Sequence, residues 1–201
     1  ETPTSSSADT NKVIRQEEKK LDEREKKLDR REEKLRQEAR EENLFASKLY
    51  YLKVMEYLEG GHFNNELFMI DPAKRAVLFR SPVTNICGSR YDIFSDGIVL
   101  ITHRGSHTTG HRLTLVDRNT LKALKTGEDA VFWRSFIEIR DGYIYAITWD
   151  NGTHYLARFD RDLKMVAKSK EKVNRDTFIT FFEKYIYINR EDRQVMVLSK
   201  D

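Results

Sequence analysis

The stretch Thr102–His111, THRGSHTTGH, carries three of the chain's five histidines at a spacing of four: His103, His107 and His111. Imidazole is a metal ligand and a general base near neutral pH. A metal site needs two or more neutral imidazoles about 2.0–2.1 Å from one ion. A spacing of four meets that need on a helix face, but Gly105 and Gly110 mark this stretch as a turn. No H-E-x-x-H pattern and no neighbouring cysteine accompany it. The residues therefore predict no metal site; His107 and His111 are the pair that would supply one.

Other reactive groups are few. Cys87, in SPVTNICGSRYD, is the sole cysteine and cannot form an internal disulfide. It would be a nucleophile only with a histidine beside it in space, and the plainer reading is a small buried packing residue. Glu66, Asp92 and Glu138 would serve a glycan hydrolase if they met around a pocket, which sequence alone does not show. There is no phosphate-cradling glycine loop and no G-x-S-x-G elbow. No catalytic residue and no cofactor are expected.

The elements that place these residues fall into two textures. From Lys12 to Glu42 there are 12 Lys/Arg and 11 Asp/Glu and no Gly or Pro, whereas all nine Tyr, eleven Phe and two Trp follow Asn43. Residues 1–11 read as a disordered polar linker at a cut end, with no signal peptide. Residues 12–47 predict one charged helix. Ile14, Leu21, Leu28 and Leu35 recur every seven residues, but the second seam position is charged at Glu17/Glu18, Arg24/Glu25 and Arg31/Glu32. The segment is either a solvated single helix or a weak coiled coil through which the chain oligomerises. Its apolar face is too narrow for membrane insertion. Neither segment is basic enough to call for nucleic acid.

Residues 48–201 repeat. GIVLITH from Gly97, GYIYAIT from Gly142 and KYIYINR from Lys184 resemble one another and the earlier YYLKVM. LFMID, LTLVD, LARFD and VMVLS follow in turn, and polar turns lead to PAKRAVLFRS, RNTLKALK and RDLKMVAK. RYDIFSD, SFIEIRD and TFITFFE precede the later three. Four antiparallel strands in about 45 residues is the size of a propeller blade. The expected fold is an all-β, small propeller-like domain of about four blades, with a β-sandwich as the alternative. Asp71, Asp117 and Asp160, each closing a strand before a turn, are expected to bond the turn backbone.

Aligning the repeats moves the histidines. His62 and His107 take similar places, and His111 and His154 each lie six residues before the strand-ending Asp. These turns would share one face of the array. His62, His103, His107, His111, Trp149, Asn151 and His154 are thus the candidate rim for a ligand or partner. Trp133, Phe132 and Phe136 are expected to pack between units.

The charged EKKLDEREKKLDRREEKL leads into GGHFNNELFMID and SPVTNICGSRYDIFSDGIVLITHRG. This arrangement resembles the C-terminal part of the spirochaete eighty-three/one-hundred-kilodalton antigen family, most specifically at GGHFNNEL and NICGSRYD. The resemblance implies an extracytoplasmic antigen, periplasmic or associated with the outer envelope, without enzymatic activity. It supplies no catalytic residues. The expected function is a binding or scaffold protein for a protein partner or envelope component. The alternatives are a metal- or small-ligand-binding sensor and, third, the glycan hydrolase. Light scattering over a concentration series checks the helix. A dimer or trimer that disappears on removing residues 1–42 marks the coiled coil; a monomer throughout marks a spacer.

Overall fold

The computed structural model describes residues 48–94, 97–105, 107, 108 and 110–200, the short strand Leu44–Phe45, and the positions Lys19, Lys20, Glu23, Arg24 and Lys27. The chain divides into Glu1–Glu41 and Glu42–Asp201. The five described positions of the first part are helical and exposed. The Ile14–Leu35 seam and the linker lie outside the described residues. Strand β1 (Leu44–Phe45) pairs with β2 (Lys48–Tyr57), so β-structure begins inside the 12–47 segment that helix propensity assigns to the helix. Pairing to β2 overrides local preference there. Among the described residues, no helix is long and apolar enough to cross a membrane.

The second part is all-β, in three antiparallel sheets. The largest contains β1, β2, β3 (Phe63–Asp71), β4 (Ala76–Arg80), β5 (Ile86–Ile93), β6 (Ile98–Thr102), β7 (Arg112–Val116) and β8 (Ala123–Thr126). It unites the first two sequence repeats, because Asn64 and Asn65 of β3 pair with Cys87 and Ile86 of β5. The next sheet holds β9 (Ile137–Arg140), β10 (Tyr143–Asp150), β11 (Thr153–Phe159) and β12 (Met165–Lys168). The last holds β13 (Thr180–Phe182), β14 (Tyr185–Asn189) and β15 (Val195–Ser199).

Strand alternation explains how the repeats stack. All five residues of β6 are buried. Ile98 and Leu100 pack with Tyr50, Leu67 and Met69 of the first repeat. Val99 and Ile101, pointing the other way, pack with Ile144, Ala146 and Phe159 of the third. Tyr145 and Ile147 then face Ile186, Ile188 and Met196 of the fourth. Each fully buried aliphatic contributes about 1.5–3 kcal/mol relative to exposure, so the three cores between successive repeats hold the domain together. The outward positions of the terminal repeats are exposed, as at Tyr51, Val77 and Phe79 and at Phe182, Val195 and Val197.

The turns follow the sequence chemistry. Asp141 (φ 54°) and Gly142 (φ 81°) join Arg140 to its partner Tyr143, a two-residue hairpin with both residues left-handed. Oδ1 of Asp71 accepts the N–H groups of Ala73 and Lys74; Asp117 accepts those of Asn119 and Thr120, and Asp160 those of Asp162 and Lys164.

A strap crosses from each outer strand to the next repeat. Val131 donates its N–H to the His111 carbonyl and Phe132 donates to Ile147; Val173 donates to His154 and Asn174 to Asn189. Ser135 Oγ accepts the Ile147 N–H at 2.6 Å and donates to the Phe136 carbonyl at 2.6 Å. Thr177 repeats both bonds with Asn189 and Phe178. Ser135 is buried, so Ser135→Ala leaves the Ile147 N–H without this partner. Chemical denaturation should show a loss of about 1–3 kcal/mol, with Ser135→Thr near wild type.

Candidate functional site

Three repeats send imidazoles and large aromatic rings to one place. His62 follows the tight turn Glu59–Gly61, in which Gly60 and Gly61 are left-handed (φ 74° and 78°). The Leu58 N–H bonds the His62 carbonyl at 2.7 Å and fixes that turn. His111 immediately precedes β7, and His154 lies in β11 opposite Trp149 of β10. Straps bond the carbonyls of His111 and His154 in the same way, so these two occupy equivalent places in successive repeats.

The same strap carries Phe132 and Trp133. Trp133 stacks on His62 with ring centres 4.2 Å apart and planes at 27°. Phe132 meets His154 edge-on at 4.9 Å. His62 lies 5.4 Å from His111 with nearly parallel rings, and 5.7 Å from His107 at 69°. Cys87 of β5 completes the group, its Sγ 3.7 Å from His62 Nδ1. Gly88 explains how the strap comes so close. Its φ is 87°, and a Cβ there would stand 2.5 Å from the Trp133 carbonyl oxygen, which no side chain tolerates.

His62, His111, Phe132, Trp133, Trp149 and His154 wall a cavity of about 260 Å³, with Thr108, Gly152 and Arg175 completing it. The Nε2 atoms of His107 and His154 are buried without a hydrogen-bond partner. The Arg175 guanidinium lies 5.9 Å from the Phe132 ring and 3.5 Å from Asp176.

Burial decides the charge state. It pushes His111 down to about 4, with the neighbouring imidazoles His62 and His103 and Arg112 acting in the same direction. Burial lowers His62 too, helped by His107 and His103, and lowers His154, helped by Arg175. It pushes the Cys87 thiol up to about 11. Near neutral pH the walls offer neutral imidazoles, and the thiol beside His62 stays protonated. That environment is the opposite of the electropositive one that activates a nucleophilic cysteine.

Of the residues expected on this face, His62, His111, Trp149 and His154 line the cavity, and His107 lies against it through His62. His103 turns elsewhere: Nε2 bonds Asn64 Oδ1 at 3.2 Å and Nδ1 the Gly105 carbonyl at 3.0 Å. Asn151 is exposed and left-handed (φ 48°), the first residue of the turn between β10 and β11. His107 and His111, the pair that would supply a metal site if the sequence held one, meet through a backbone group, since His111 Nε2 bonds the backbone carbonyl of His107 at 3.0 Å. None of the three carboxylates lines this cavity, although the charges of Asp92 and Glu138 act on one another. Glu66 pairs with Arg80, whereas Asp92 accepts the Ile139 N–H at 2.7 Å. Burial and then the Asp92 charge raise Glu138. Sequence reasoning missed Arg175 and assigned Trp133 and Phe132 to packing alone. The signal was present in the Val-Phe-Trp of the strap, one repeat ahead of Val-Asn-Arg.

No known protein family matches the chain, and no curated protein is similar to it.

An imidazole whose folded pKa lies below its unfolded value of about 6.5 favours the fold fully above that value. Its contribution fades as pH falls, for His111 until about 4. His111 alone accounts for about 3 kcal/mol across this window, and His62 and His154 act in the same direction. In the presence of a chelator, the melting temperature should fall from pH 6.5 towards 4. His111→Gln, which keeps a donor for the His107 carbonyl, should flatten that fall.

Proposed function

We propose that the chain is a non-enzymatic binding protein whose stacked repeats act as propeller-like blades and present the ring-lined cavity to a ligand or partner. The charged helical segment acts as a spacer or oligomeriser. The observation that carries this reading is the convergence of His62, His111 and His154, from three successive repeats, with Trp133 and Trp149 on one cavity. Rigid scaffolds that gather turn residues into an apolar pocket with a few polar groups are the usual form of a binding site. At about 260 Å³ the cavity suits one side chain or a small planar group, not a large cofactor. Neutral imidazoles and Arg175 favour an aromatic group carrying a carboxylate, as on a protein partner's terminal residue or an envelope component. The resemblance to the spirochaete antigen family supports an extracytoplasmic location, in the periplasm or at the outer envelope.

The chain has two tryptophans, and both line the cavity, so intrinsic fluorescence reports its occupancy. Titration with aromatic carboxylates and with short peptides ending in Phe or Tyr should give a saturable change in emission. Arg175→Ala should weaken the carboxylate probes about tenfold or more and leave neutral aromatic probes near wild type. Emission that never saturates with any probe, or saturation indifferent to Arg175, contradicts the reading.

A further inference from the structure

We propose that His62, Cys87 and His111 form a zinc site on the wall of the cavity. One nitrogen of each imidazole and the thiol sulfur lie within 4.8 Å of one another. In a tetrahedral centre, bonds of about 2.3 Å to sulfur and 2.0–2.1 Å to nitrogen hold sulfur and nitrogen roughly 3.6 Å apart. Cys87 Sγ and His62 Nδ1 already stand 3.7 Å apart. The His111 nitrogen, within 4.8 Å of both, must close on them to reach coordination distance.

The tautomer of His111 supports the site independently. Its Nε2 faces the His107 carbonyl at 3.0 Å, and a carbonyl only accepts, so Nε2 carries the proton. Nδ1 is then the nitrogen with the free lone pair. A backbone carbonyl bonding the far nitrogen of an imidazole is the recurring outer shell of a metal-bound histidine. Burial keeps both imidazoles neutral, as ligands must be.

One thiol with two imidazoles favours zinc over calcium or magnesium, which take oxygen ligands. On binding, the Cys87 S–H bond breaks, its proton leaves to solvent, and sulfur forms a bond to zinc as a thiolate. No electron is transferred. Two of the three ligands, His62 and His111, also line the cavity. The ligands come from the turn before β3, from β5 and from the residue preceding β7, so the ion ties the first two repeats together.

The site shares His62 and His111 with the cavity wall but needs none of Trp149, His154 or Arg175. The test uses the untagged full chain, stripped with chelator and titrated with zinc and with cobalt(II). One equivalent of zinc should bind with a dissociation constant of about 1 µM or tighter and raise the melting temperature. One equivalent of cobalt should produce a thiolate-to-metal charge-transfer band in the near ultraviolet. Cys87 is the only thiol, so that band in the unmutated chain reports this site whatever the variants do to folding. Cys87→Ser should abolish the band, and His111→Ala should weaken zinc more than about 100-fold. Trp149→Ala should leave metal binding within a fewfold of wild type, which separates this site from the organic ligand's. Absence of the band in the unmutated chain overturns the proposal, as does zinc affinity unchanged in both ligand variants.

Discussion

Val131 donates its N–H to the His111 carbonyl in one repeat, and Phe132 donates its own to Ile147 in the next. The positions of both repeats, and of the rings between them, follow from that crossing. Each sheet alone would expose an apolar face. The strap fixes the stacking at which Val99 and Ile101 meet Ile144 and Ala146. It also delivers Trp133 onto His62, through a passage that only Gly88 leaves open. Core packing supplies the free energy, and the strap supplies the register at which that packing forms a cavity.

The chemistry of the cavity is a consequence of burial. His62, Cys87 and His111 are all less than 10% exposed, at 9%, 1% and 7%. Desolvation opposes charge on each, so the imidazoles stay neutral and the thiol stays protonated. A neutral polar cluster is costly in a low-dielectric interior unless each group finds a partner. His111 has the His107 carbonyl, whereas the Nε2 atoms of His107 and His154 have none. A ligand in the cavity would relieve part of that cost at His154, and it requires neither a nucleophile nor an acid–base pair.

Much of the architecture is legible in the sequence because it rests on local rules. Period-two alternation gives the strands, Asp141–Gly142 gives a hairpin, and Asp71, Asp117 and Asp160 bond their own turns. The repeat register also places His111 and His154 correctly, since equivalent positions in a stacked array have equivalent neighbours. It fails where partners come from different repeats by different routes. Cys87 lies 25 residues from His62 in sequence, and the pairing of β3 with β5 that brings them together has no sequence signature. Asn151, on the same hairpin as Trp149 and His154, is exposed and does not line the cavity. Trp133 looks like packing and does pack, but a ring stacked on His62 is also a wall of the site.

The central claim is that a neutral His111, held as its Nε2–H tautomer, faces a shared interior with His62. Long-range nitrogen–proton correlation spectra of the imidazole rings at pH 6, recorded on metal-free protein, read this directly. The account predicts separate protonated and unprotonated nitrogen shifts for His111, with the proton on Nε2 and no change until the pH approaches 4. A His111 ring with averaged nitrogen shifts, titrating near the ordinary value of about 6.5, would contradict it.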